Sequence, residues 1–155
     1  MGVVPAKAKV TCADIRIEEG DNLGVGGVNI EVISTPGHTS CHMAYLVGED
    51  RVLTGDALFI RGCGRTDFQS GDAGTLYDSV TQKLFTLPDE TLVYPAHDYR
   101  GNTVSTIGEE KQFNPRFTRR TREEFIELMN NLDLPNPKKI MEAVPANEMC
   151  GKVAA

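Results

Sequence analysis

The run Thr54-Gly55-Asp56-Ala57-Leu58-Phe59-Ile60-Arg61-Gly62-Cys63-Gly64-Arg65-Thr66-Asp67-Phe68 decides how the rest of the chain is read. It opens at the end of an apolar stretch, Arg51-Val52-Leu53-Thr54, which reads as a short strand. Asp56 then places a carboxylate directly after a glycine. A carboxylate at the end of a buried strand is costly unless something positive pairs with it. Arg61 and Arg65 follow, interleaved with Gly62 and Gly64, so the backbone can turn tightly around a charged or metal-bound object. Two histidines have similar settings: His38 in Thr35-Pro36-Gly37-His38-Thr39, and His97 in Tyr94-Pro95-Ala96-His97-Asp98-Tyr99. Each follows an apolar, strand-like run and a proline. On this reading Asp56, His38 and His97 converge on one metal site.

The length of 155 residues suits a single domain, residues 1–155. With 40% hydrophobic and 25% charged residues, the composition is that of an ordinary globular chain. A net charge of −6 argues against nucleic acid as the main partner. The arginines are nevertheless clustered, at Arg61 and Arg65 and again at Arg116, Arg119, Arg120 and Arg122. Such patches can hold a small anionic substrate on an acidic protein. The four cysteines, Cys12, Cys41, Cys63 and Cys150, form no C-x-x-C pair and are expected to be reduced. No apolar run approaches the roughly 20 residues of a membrane span. The start, Met1-Gly2-Val3-Val4-Pro5-Ala6, lacks a signal peptide's apolar core and places Ala6 where a myristoylation signal wants Ser or Thr.

Periodicity supplies the elements. Residues 1–13 are read as irregular, Asp14–Ile17 as a short strand, and 18–22 and 24–27 as turns. Val28–Ile33 alternates with period two, as a half-buried strand does, and Met43–Val47 is the next strand. From Ala73 to Leu87 the period becomes helical, with Leu76, Val80, Leu84 and Leu87 on one face and Asp72 as N-cap. Thr91–Tyr94 is a strand. Residues 101–118 are loop-like, with a helix start available between Ser105 and Phe113. Thr121 and Glu124 form a capping box for a helix over 121–129, and the tail from Lys138 has weak helical character. This order predicts a layered α/β or α+β domain with functional groups on loops at one sheet edge.

Each motif has a plainer reading. His38 is also a turn residue that caps a helix or bonds a carbonyl. Asp56 is also the partner in a plain buried salt bridge to Arg61 or Arg65. His97, beside Asp98, is also a core histidine oriented by a hydrogen bond. His42 is read as facing the surface or sitting behind the ligands. Cys63, between two glycines and near arginines, is either a thiol of lowered pKa or a small buried hydrophobe. Arg61 and Arg65 are the candidates for binding a substrate carboxylate, because they border the metal candidate. Arg119, Arg120 and Arg122 read as the solvated start of a helix. Two imidazoles and a carboxylate suit a first-row transition metal with open coordination positions.

Together the three quoted motifs resemble the metallo-β-lactamase superfamily, and within it the persulfide dioxygenase branch. Glu109-Glu110-Lys111, Phe113-Asn114-Pro115-Arg116 and Val144-Pro145-Ala146-Asn147 extend the resemblance, which runs from about Asp14 to Gly151. The 54–68 run is specific to that branch; the related glyoxalase II hydrolases share only the Pro-Gly-His-Thr and Gly-Asp elements. The resemblance implies an αββα sandwich and a mononuclear Fe(II) enzyme. Such enzymes oxidise glutathione persulfide with O2 and water to sulfite and glutathione. It implies that His38 and Asp56 bind the metal. His97 matches a second-metal ligand of the dinuclear hydrolases that in the dioxygenases lies near iron without binding it. Arg65, Cys63 and Tyr99 match positions near the substrate pocket.

The superfamily's His-x-His-x-Asp-His signature, source of the third iron ligand, is absent from a chain with three histidines. The chain therefore resembles the C-terminal half of the sandwich and is expected to be N-terminally incomplete. An apolar sheet face is then expected to be open to a second copy or to a missing N-terminal half. His42 replaces the missing ligand only if residues 38–42 are helical. The expected function is iron-dependent persulfide oxidation. The alternatives are a catalytically incomplete binding or assembly module and a glyoxalase II-like thioester hydrolase. The expected partners are glutathione persulfide and O2, not nucleic acid or membrane. The expected location is the cytoplasm, or alternatively the mitochondrial matrix.

Overall fold

The computed structural model describes residues 2–68 and 70–150; Met1 and Gly151, named above, lie outside them. The elements are β1 (Val3–Pro5), β2 (Ile15–Ile17), β3 (Asn22–Val25), β4 (Val28–Ser34), β5 (Met43–Val47), β6 (Arg51–Gly55), α1 (Ala73–Gln82), β7 (Leu92–Pro95), β8 (Ser105–Thr106), α2 (Ile107–Phe113), α3 (Arg122–Asn130) and α4 (Ile140–Glu148). β1 and β2 form a small parallel pair. The main sheet has the order β3-β4-β5-β6-β7-β8, antiparallel except between β6 and β7. This is a mixed α/β fold, as the element order predicted.

The strand directions place the site. β4 is antiparallel to β5, β5 to β6, and β6 is parallel to β7. β4, β6 and β7 therefore point the same way, and the loops after them collect at one edge. Those loops carry His38, Asp56 and His97. A crevice beyond the carboxyl ends of strands is where open α/β sheets place ligands.

One sheet face packs on helices. Ile33, Ala44, Val52 and Val93 meet Leu76, Val80 and Leu84 of the α1 region, with Ile107 and Phe125 completing a buried core. Asp72 caps α1 by accepting from the Thr75 backbone N–H at 2.6 Å. The predicted long helix ends early: α1 stops at Gln82, and a 3-10 turn over Leu84–Thr86 carries Leu84 into the core. α3 starts at the predicted capping box, with both reciprocal hydrogen bonds made. Strand register puts Ile30, Val32, Tyr45, Leu53 and Tyr94 on the opposite face. Val32 is fully buried there, while Leu53 is 41% exposed. That face is thus open in part.

The sequence reading missed β1, β3 and β8, which are short and flanked by turn residues. The reduced state expected of all four cysteines is corrected. Cys12 and Cys150 form a disulfide with Cα atoms 6.4 Å apart, while Cys41 and Cys63 are free. The end of α4 returns to the N-terminal loop, where the Thr11 N–H donates to the Glu148 carbonyl at 3.3 Å. A pairing across 138 residues leaves no trace in local spacing. No helix among the described residues is long and apolar enough to cross a membrane.

Candidate metal centre and its pocket

Asp56 lies between two imidazoles. Its Oδ2 is 3.8 Å from His38 Nε2, and its Oδ1 is 3.4 Å from His97 Nε2. The salt-bridge alternative for Asp56 is set aside, because both neighbouring arginines pair elsewhere. The three predicted residues do converge. His38 Nδ1 lies 2.7 Å from the Arg65 carbonyl oxygen. A carbonyl only accepts, so Nδ1 carries the proton and Nε2 turns its lone pair towards Asp56. This is how a metal-binding imidazole is usually oriented.

The backbone around Asp56 is fixed from both sides. Its N–H donates to His42 Nε2 at 3.0 Å, and its carbonyl accepts from the Gly64 N–H at 3.0 Å. Gly55 holds φ +54, and a side chain there would strike the His42 imidazole. His42 Nε2 accepts, so its Nδ1 donates to Thr35 Oγ1 at 2.8 Å. Burial, helped by His38, lowers the His42 pKa to about 4 against the raising effect of Asp56 and Thr35, so the ring is neutral. The surface reading of His42 is therefore corrected. Its stand-in role as a ligand also falls: residues 38–42 form a turn, and Nε2 is already engaged.

His97 is no core histidine: its side chain is 55% exposed. Asp98 does not orient it but accepts from the Arg100 and Asn102 backbone N–H groups, both at 2.9 Å. Tyr99 is exposed and stacks on the His97 ring at 6.0 Å, while the Phe59 ring meets His97 edge-on at 6.1 Å.

Arg61 does not offer its charge to a ligand. It pairs with Glu110 and, at 3.0 Å, with Glu109. Arg65 grips Asp67 through two 2.6 Å hydrogen bonds, donates to the Pro135 carbonyl at 2.9 Å and lies over the Phe68 ring. The part of Arg65 that serves the site is its backbone carbonyl, which sequence reasoning did not single out. Cys63 is the small, partly buried group packed against the core, not the activated thiol. Burial pushes its pKa up to about 12 despite Arg116 nearby, and Sγ sits 3.8 Å from Met129 Sδ.

These groups line a cavity of about 830 Å³. His38, Asp56, Arg61, Cys63, Arg65, His97 and Tyr99 all border it, as do three further cations, Arg100, Arg116 and Lys138. Two of those cations, Arg100 and Lys138, carried no signal in the sequence, since each stands in a polar loop without a motif.

The donor chemistry fits a transition metal. Donors bound about 2.1 Å from one ion lie roughly 3.0–3.4 Å apart at octahedral to tetrahedral angles. The His97–Asp56 separation matches that range, and the His38–Asp56 separation is slightly wider. Among the described residues no group of three or more His, Cys, Asp or Glu side chains forms a complete metal-holding cluster. The chain brings His38, Asp56 and His97 together at this edge as candidate ligands.

Comparison with known proteins agrees with this geometry. A family model described as metallo-beta-lactamase superfamily matches residues 7–97. The human protein named persulfide dioxygenase ETHE1, mitochondrial, is 54% identical over 140 residues, covering 90% of this chain and 55% of the relative. The crystal structure of ETHE1 from Myxococcus xanthus superposes with a TM-score of 0.93 at 55% identity, covering 97% of this chain and 66% of that one. A hydroxyacylglutathione hydrolase of Rhodopseudomonas palustris is 43% identical over 100 residues, or 64% of this chain and 38% of the relative. The chain thus spans about half the length of the curated relatives it matches. Three strand-end residues meeting at one sheet edge, and the matched family model around them, agree that the chain belongs to the metallo-beta-lactamase superfamily.

Proposed function

We propose that the chain serves an iron-dependent persulfide dioxygenase. The reaction converts glutathione persulfide, O2 and water to glutathione, sulfite and two protons. The observation that carries this reading is the His38–Asp56 pair at the edge of a cavity that also presents Arg100, Arg116 and Lys138. The 54% identity to a protein named persulfide dioxygenase supports it.

His38 and Asp56 would hold a single Fe(II), which would supply the redox chemistry of O2. The rest is done by the chain's own groups. The Arg65 carbonyl holds His38 Nδ1–H, so the imidazole presents Nε2. Arg116, Arg100 and Lys138 offer positive charge to the carboxylates of a glutathione moiety. Tyr99 and His97 form the exposed wall, and the Arg65 side chain ties the 134–135 segment to the cavity rim. Cys63 is a protonated lining thiol that shapes the inner wall. The substrate is a small molecule, and neither nucleic acid nor a membrane is a partner. A second copy or a further segment completes the partly open sheet face. The human and mouse relatives are named as mitochondrial, which favours the mitochondrion over the cytoplasm as the compartment.

The test is metal content and O2 uptake on glutathione persulfide, with chain purified anaerobically and supplied with Fe(II). About one iron per chain, with sulfite formed as oxygen is consumed, is expected. Hydrolysis of a glutathione thioester with Zn(II), and no oxygen uptake, would replace this reading with the glyoxalase II-like one. Neither activity under either metal would leave a binding or assembly module.

A further inference from the structure

Glu110 is fully buried, yet it touches neither the cavity nor the two proposed metal ligands. It lies on α2, beneath the turn formed by Phe59–Gly62. Its carboxylate accepts from the Arg61 backbone N–H at 2.9 Å and the Ser105 hydroxyl at 2.6 Å, and it pairs with the Arg61 guanidinium. Asn114, one helical turn on and also fully buried, places Nδ2 2.8 Å from Glu110, 3.0 Å from the Gly62 carbonyl and 3.2 Å from the Phe59 carbonyl. Its Oδ1 accepts from the Arg116 N–H at 3.0 Å.

This clamp holds a backbone that would not hold itself. Arg61 has φ +61, a region that side chains other than glycine rarely adopt and keep only where the surroundings over-determine it. The turn so fixed has the site at both ends. Phe59 meets the rings of His97 and Tyr99 at 6.1 and 6.4 Å. Beyond Gly62, the Gly64 N–H bonds back to the Asp56 carbonyl, and the Arg65 carbonyl holds His38.

We propose that Glu110, acting with Asn114, is a positioning residue for the His38–Asp56 pair. It fixes the turn whose return leg brings the Arg65 carbonyl to the His38 imidazole, and through Asn114 it sets Arg116 at the cavity wall. The inference rests on His38 and Asp56 being the working pair, as proposed above, and not on the identity of the sulfur substrate.

The test uses the full chain, isotopically labelled, with Glu110→Gln. The readouts are hydrogen exchange at the Gly62 and Gly64 amides and the bonded Nδ1 proton of His38 by NMR. The expected result is at least tenfold faster exchange at Gly64 and loss of the His38 Nδ1 proton signal, with α1 and α3 amides unchanged. Co(II) titration is expected to show about tenfold weaker binding, the scale of losing a group that orients a ligand. A purely structural Glu110 would lower Tm while leaving the Gly64 and His38 signals at wild-type values below the transition, and that would overturn the proposal. Should Glu110→Gln not fold, Ser105→Ala keeps the carboxylate and removes one donor. It is expected to speed Gly64 exchange about threefold, and no change would again overturn the proposal. A wild-type chain that takes up no Co(II) counts against the metal pair, while the proton readouts still decide the role of Glu110.

Discussion

His38 Nδ1 lies 2.7 Å from the carbonyl oxygen of Arg65, a residue 27 positions further along the chain. That one bond sets which imidazole nitrogen faces Asp56. It depends on the backbone path from Asp56 to Arg65 and not on the arginine side chain. The loop that bears the carboxylate is therefore the same loop that orients its partner.

Gly64 is where that loop passes closest to the site. A Cβ there would overlap the Asp56 carbonyl oxygen and stand 3.1 Å from both the Asp56 Cβ and His38 Nδ1. Gly64→Ala is expected to destabilise the fold by about 1–3 kcal/mol, the usual cost of forced overpacking, and to lose the bonded His38 Nδ1 proton. Chemical denaturation and NMR check the two effects, and an unshifted His38 signal would contradict the geometry.

Arg65 ties the segment near Pro135 to the cavity, through its donation to the Pro135 carbonyl at 2.9 Å. Arg65→Ala keeps the backbone carbonyl but removes that tie and the grip on Asp67. Limited proteolysis within residues 131–139 is expected to speed up about tenfold, the equivalent of roughly 1.4 kcal/mol of lost local stability. His38 is expected to keep its Nδ1 proton, which separates the two roles of Arg65.

Cys63 has its pKa raised from 9.0 to about 12 by burial. A raised folded value means that the unfolded chain releases its proton first as pH rises. Stability from this group is therefore complete below pH 9 and is lost between pH 9 and about 12, by about 1.4 kcal/mol per unit. Urea midpoints measured above pH 9 should fall in wild type and fall less in Cys63→Ala. At pH 8 alkylation of Cys63 should be roughly 1000-fold slower than that of a free small thiol.

The Cys12–Cys150 bond closes a loop of 138 residues. On the chain-entropy account such a cross-link stabilises by up to about 5 kcal/mol. Cys12→Ser is expected to lower the urea midpoint with the slope of the transition raised, because the unfolded chain expands. Under non-reducing conditions only Cys41 and Cys63 should be available to alkylation after unfolding. Labelling of all four cysteines without a reductant would refute the pairing.

The sequence by itself determined the strand-ending motifs that carry His38, Asp56 and His97, the caps of α1 and α3, and the layered α/β class. Those signals are local: a glycine or proline after an apolar run, a capping pair three residues apart, a period of two or of about four. Its account of the side chains between the motifs was weaker. Arg61 was read towards a ligand, but its partner is Glu110, 49 residues away. His42 was open between the surface and a place behind the ligands until a turn folded it behind Asp56, where burial holds it neutral. Cys63 was open between an activated thiol and a buried one until the approach of Met129 on α3 closed it in. Only the tertiary structure decided these, because the free energy of a charge, an imidazole or a thiol depends on what surrounds it, and those surroundings come from segments tens of residues apart.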